Sequence, residues 1–94
     1  FARDSETLFE RLDESVVDRN YREFRDISHA LKGSAGSVGA KRLHQLSGRA
    51  CQIGDRAFMR VAPIAVTEMR SAFAETKSAL DRYISERQSQ VSRN

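Results

Sequence analysis

The amino-acid sequence predicts an all-α domain, an antiparallel four-helix bundle in up-down-up-down order, and three observations carry that reading. Apolar residues recur at steps of three and four in four separate stretches. No stretch sustains the period-two alternation of a strand, and there is a single proline. The links between the first three stretches are short enough to make successive helices antiparallel neighbours. At 94 residues, 1–94 forms one small domain with a modest core.

The first helix is expected over about residues 5–18. Leu8, Phe9, Leu12 and Val16 form its apolar stripe, with Ser5 as N-cap and Glu6 in the first turn. The second, over 21–38, follows across Arg19 and Asn20. Asn20 suits an N-cap, and Glu23 three residues later makes a capping-box-like pair. The third, over 40–53, begins after Gly39 and carries Leu43, Leu46, Ala50 and Ile53 on one face. Gly54 and Asp55 read as a stop and a new cap, and 55–62 as ambiguous, with Phe58 and Val61 on a short helical turn. The fourth, over 63–87, takes Pro63 in its first turn. Val66, Met69, Phe73, Thr76, Leu80 and Tyr83 mark its buried side, and 88–94 is polar and expected to fray.

Composition excludes several classes. One cysteine permits no internal disulfide and fits a reducing compartment, which points to the cytoplasm. No apolar run approaches the roughly 20 residues needed to span a bilayer. The start, Phe1-Ala2-Arg3-Asp4, is no signal peptide and reads as a cut from a larger chain. Sixteen Lys and Arg against thirteen Asp and Glu leave a net charge of +3. These charges are interleaved along helix surfaces, without the basic block a nucleic-acid binder would show. His44 and Cys51 share a face seven residues apart, but no third or fourth ligand has metal-site spacing, so no metal is expected. Asp13, Glu14 and Asp18 read as solvated surface, and no nucleophile elbow or phosphate-binding loop is present.

The informative run is His29-Ala30-Leu31-Lys32-Gly33-Ser34-Ala35-Gly36-Ser37-Val38-Gly39. Each glycine inside a helix costs about 1 kcal/mol relative to alanine. A bare backbone at Gly33 and Gly36 therefore needs a reason, while Gly39 ends the helix. At roughly 100° per residue, Arg22, Arg25, Asp26, Lys32, Gly33 and Gly36 share the side of His29. Phe24, Ile27, Leu31, Ser34, Ala35 and Val38 lie opposite and must face the core, so the imidazole must face water. Imidazole titrates near neutrality and is nucleophilic when neutral. Lys32, one turn on, can hold an anion bound to the ring. Gly33 and Gly36 clear the approach of a partner, and Arg22 and Arg25 make the face basic, suiting an acidic pocket. An outward nucleophile beside a cation on a cleared surface suits receipt of a phosphoryl group from another protein.

The run 29–39 resembles the histidine phosphotransfer (HPt) domains of two-component phosphorelays. It matches their pattern His-x-Leu-Lys-Gly-Ser-Ala-Gly, a small or polar residue, an aliphatic residue and Gly at every fixed position. The likeness continues through Leu43 and Leu46 and in helix count and spacing. The resemblance implies a phosphorelay carrier: His29 as phosphoacceptor, Lys32 steadying the phosphate, Gly33 giving access. It implies an aspartate of a response-regulator receiver domain as donor and acceptor, with Mg²⁺ on that partner and no cofactor on this chain. It also implies a carrier without turnover of its own. A kinase domain of the same parent chain is a second partner, since a hybrid sensor kinase, anchored in the inner membrane, is a suitable origin. Family members often place Gln or Glu on the following helix, bonded to the phosphoacceptor ring. That register here holds Cys51, with Gln52 next to it. Either Gln52 serves as the orienter after a small rotation, or backbone or water does. A short helix that many members carry before the bundle is missing or truncated, so apolar surface around Phe1 could favour a homodimer of the isolated fragment. The rival readings are a helical interaction or dimerisation module without phosphotransfer and a basic helical nucleic-acid binder. Contact with nucleic acid or with a membrane is not expected.

Overall fold

A computed structural model describes residues 2–92, with side chains for residues 3–85. Four helices follow one another: α1 (Ala2–Val17), α2 (Tyr21–Val38), α3 (Lys41–Cys51) and α4 (Phe58–Ser92). Each packs on its neighbours in chain order, and α4 closes the ring against α1. α2 makes its most extensive contact with α3. The core is assembled from one stripe of each helix. Phe9 and Leu12 come from α1, Phe24, Ile27, Leu31 and Ala35 from α2, Leu43 and Ala50 from α3, and Phe58, Ala62, Val66, Met69, Ala72 and Phe73 from α4.

α1 starts earlier than its sequence suggests. Ser5 is not its N-cap but a fully buried residue in its second turn, with no hydrogen-bond partner for its Oγ. Helix α1 ends where Arg19 adopts a left-handed conformation, φ 56°. Its N–H donates to the Val16 carbonyl, and the Asn20 N–H donates to that of Ser15. Asn20 then caps α2, its Oδ1 accepting from the Glu23 N–H at 3.1 Å. The Glu23 carboxylate turns outward and pairs with Arg11 at 3.2 Å, tying α2 to α1. At the other end Gly39, φ 74°, takes the left-handed cap position that an L side chain rarely accepts. Ala40 holds the N-cap position of α3 without a side-chain bond, and α3 stops at Cys51, short of Ile53.

The largest correction concerns α4. It begins at Phe58, so Pro63 lies inside the helix rather than in its first turn. The anchor is aromatic. Phe58 is buried and meets Phe24 edge-on at 5.2 Å and Tyr21 at 5.7 Å. That contact fixes the helix start against α2, although Pro63 cannot donate to the Met59 carbonyl. At its far end α4 remains helical to Ser92, beyond the expected stop at 87. A helix of 35 residues is about 52 Å long, roughly twice α1. Its last turns therefore pass the end of the bundle, and the molecule is 58 Å in its longest dimension. Leu80, Tyr83 and Ile84 are accordingly exposed rather than core. Val38, expected on the core side, lies in the last turn of α2 and is 40% exposed. Phe1, with the open apolar surface expected around it, lies outside the described residues, as do 93 and 94. No helix among the described residues is long and apolar enough to cross a membrane.

Candidate functional site

α2 turns its apolar stripe inward, and that alone decides what the opposite side shows. Phe24, Ile27, Leu31 and Ala35 are buried, so His29 stands exposed in mid-helix. Among the described residues nothing hydrogen-bonds its ring. Arg22, Arg25 and Asp26 are exposed one and two turns before it. A Cβ built on Gly33 would meet nothing within 4 Å, so the surface beside the imidazole is open. His29, Arg25 and Asp26 of α2 and Cys51 of α3 line one shallow recess.

The seven residues of this face do not share one environment. α3 lies along one flank of it, the flank of Ser28, Lys32 and Gly36. Ser28, next to His29, is fully buried there, as is Ser47 of α3, and neither hydroxyl has a partner. Gly36 faces the side chain of His44, and a Cβ at Gly36 would lie 3.3 Å from the ring Nδ1. Gly36, expected as a docking residue, is exposed and also has an internal role: its missing side chain makes room for His44 of its own chain. The His44 Nδ1 lies 3.0 Å from the Lys32 carbonyl. A carbonyl only accepts, so the ring donates and Nδ1 carries the proton.

Lys32 is half-buried because its stem runs onto α3. Its Cδ and Cε would each lie 3.8 Å from a Cβ at Gly48. Its charge reaches Cys51, as does that of Arg25. Both draw the thiol pKa down, but burial outweighs them and raises it above the usual thiol value. Cys51 Sγ also contacts the Arg25 carbonyl at 3.9 Å. Gln52, the candidate orienter of the imidazole, caps the end of α3 and is exposed; Cys51, not Gln52, forms the recess wall with His29.

Among the described residues, four ion pairs tie the helices together. Arg11 pairs with Glu23, Arg42 with Glu75 at 2.9 Å, Arg70 with Asp13, and Lys77 with Glu6 at 3.0 Å. All four pairs cross seams involving α1 or α4. Arg70 also lies over the Phe9 ring, 5.2 Å from its centre. Among the described residues, Arg22, Arg25 and Lys32 form no ion pair. Lys41, Arg49, Arg56 and Arg60 form none either, so these three cations differ in lying around His29 rather than in being unpaired. No group of three or more His, Cys, Asp or Glu is gathered for a metal among the described residues.

Two residues were not assigned to this site from the sequence: His44, weighed there only as a metal ligand, and Gly48. The available signal was a glycine in the middle of α3, one turn after a histidine. A family model, the Hpt domain, matches residues 1–86. Among curated proteins and among solved structures, nothing matches.

Proposed function

The chain belongs to the Hpt-domain family, so it is a histidine carrier of two-component phosphorelays, and on that premise we propose that His29 takes a phosphoryl group from, and returns it to, an aspartate of a response-regulator receiver domain. The observation that carries this is the outward His29 ring with no protein partner, beside open space at Gly33. The outer ring nitrogen, Nε2, attacks phosphorus in line. The N–P bond forms as the acyl-phosphate P–O bond breaks, and the aspartate leaves as carboxylate. Charge spreads over the equatorial oxygens in a loose transition state, so positioning and electrostatics supply the catalysis. Lys32 is the cation this chain brings, and Mg²⁺ belongs to the receiver. Arg22 and Arg25, unpaired on the same face, complement the acidic pocket of such a partner. A receiver also fits the shape, since an open face admits a second protein where a closed pocket would admit only a small molecule. The domain acts as a carrier, charged elsewhere, including by a kinase domain of its parent chain in the cytoplasm.

The test is transfer from a radiolabelled receiver. The wild type is expected to acquire acid-labile, alkali-stable label, and His29→Gln none, with an unchanged thermal midpoint. Label that persists in His29→Gln would refute the assignment.

A further inference from the structure

Lys32 is held from α3 at two points one turn apart. His44 donates its Nδ1–H to the Lys32 backbone carbonyl at 3.0 Å. Gly48, four residues on, faces the Lys32 Cδ and Cε. The i, i+4 spacing puts both on one face of α3. Neither residue is explained by packing alone. A part-buried ring inserted over a glycine is a demanding arrangement when an alanine or leucine would fill the seam. A Cβ at Gly48 would make only ordinary contact with the Lys32 stem, so what the seat excludes is a side chain longer than alanine. Lysine is also the side chain with the most rotamer freedom to lose, so a cation meant to meet a phosphoryl group gains from being aimed beforehand.

We propose that His44 and Gly48 are positioning residues for Lys32, His44 pinning its backbone and Gly48 bedding its aliphatic stem, so that its ammonium is delivered along α3 to the recess holding His29. The mount rests on the reading of Lys32 as the phosphate-steadying cation. Gly36 belongs to the same device, since a side chain there would displace the His44 ring. The charge of Lys32 does reach Cys51, in the wall of the recess.

The experiment uses phosphoramidate as donor, whose P–N bond breaks to release ammonia as the His29 N–P bond forms. Labelling rates are compared for wild type, His44→Phe, His44→Asn, Gly48→Ala and Gly48→Gln, each with and without Lys32→Ala. His44→Phe keeps a ring and loses the donor; its rate is expected to fall about fivefold, the effect of one ordinary hydrogen bond. His44→Asn keeps an N–H at the Nδ1 position and is expected to restore most of the rate. Gly48→Ala makes only ordinary contact at 3.8 Å and is expected to stay within about twofold. Gly48→Gln displaces the stem and is expected to match His44→Phe. In the Lys32→Ala background all four are expected to be silent. NMR relaxation of the Lys32 Cε methylene gives a readout independent of phosphorylation, and its fast motion is expected to increase in His44→Phe and Gly48→Gln. Equal losses with and without Lys32, or unchanged Cε motion, would overturn the mount. A wild type that takes no label would overturn the functional reading instead, and the Cε comparison would still decide the mount.

Discussion

Gly33 and Gly36 stand one turn apart in the same motif, and the structure uses them for opposite purposes. Beside Gly33 there is only solvent. Against Gly36 lies the His44 ring, close enough that a methyl group would press on it. The first glycine keeps a space empty for another molecule. The second keeps a space that the chain itself fills. Arg22 and Arg25 lie on the open side with no ion pair among the described residues, and ion pairs close the seams of α1 and α4. A bare backbone is thus no sign of a docking surface until one asks what occupies the room it leaves.

Substitution at the two glycines is expected to separate function from stability. Gly33→Leu adds a side chain where a partner must approach. Transfer from a receiver is expected to fall by tenfold or more, while stability in urea holds or rises by up to about 1 kcal/mol from helix propensity. A Gly33→Leu protein that transfers at the normal rate would remove the case for an open approach. Gly36→Val should show the reverse pattern. Overpacking against His44 is expected to cost about 1–3 kcal/mol in urea unfolding, and a second change, His44→Ala, to relieve most of it. Additive losses would mean that the two residues do not share one space.

Smaller effects sharpen the comparison between seams and open face. Arg19 holds a left-handed φ of 56° at the α1–α2 corner, far from His29 on the sequence. Arg19→Gly is expected to raise stability by about 1 kcal/mol and leave transfer alone, as read by urea unfolding beside a transfer assay. Arg42→Ala breaks an exposed pair with Glu75 and is expected to cost less than about 1 kcal/mol. Cys51 offers a pH test. Burial raises its pKa in the folded protein, so folding favours the thiol form. Its contribution is complete below the usual thiol pKa and disappears as pH rises through the elevated folded value. Iodoacetamide is therefore expected to modify the folded protein more slowly than the urea-unfolded chain at mildly alkaline pH, and Cys51→Ser to flatten the alkaline loss of stability. Faster modification of the folded form would contradict the dominance of burial over Lys32 and Arg25.

Helix number, the order of the helices and the outward side of α2 follow from local periodicity, and so were legible in the residues. Asn20 and Gly39 bound α2 by chemistry confined to a few neighbouring groups. The boundaries of α1 and α4 were not. Ser5 carries every mark of a cap, but the bundle buries Ser5 itself and the helix runs on past it to Ala2. Pro63 reads as a beginning, but Phe58, packed edge-on against Phe24 and Tyr21, draws the helix past it. Leu80 and Tyr83 keep the apolar spacing of α4 but are exposed, because α4 is about twice as long as α1.

The amino-acid order alone determined that His29 points away from the core, because one helix has one apolar stripe and its angular complement follows from 100° per residue. It also determined which cations share that side. Only the tertiary structure decided which flank of that side α3 would cover, and hence that Lys32 and Gly36 are engaged while Gly33 is free. The periodicity of one helix fixes a direction toward the core but not the lateral position of its neighbour. That position is set by how the side chains of two helices fit, and the fit between His44 and Gly36, or between Lys32 and Gly48, exists only once both helices are packed.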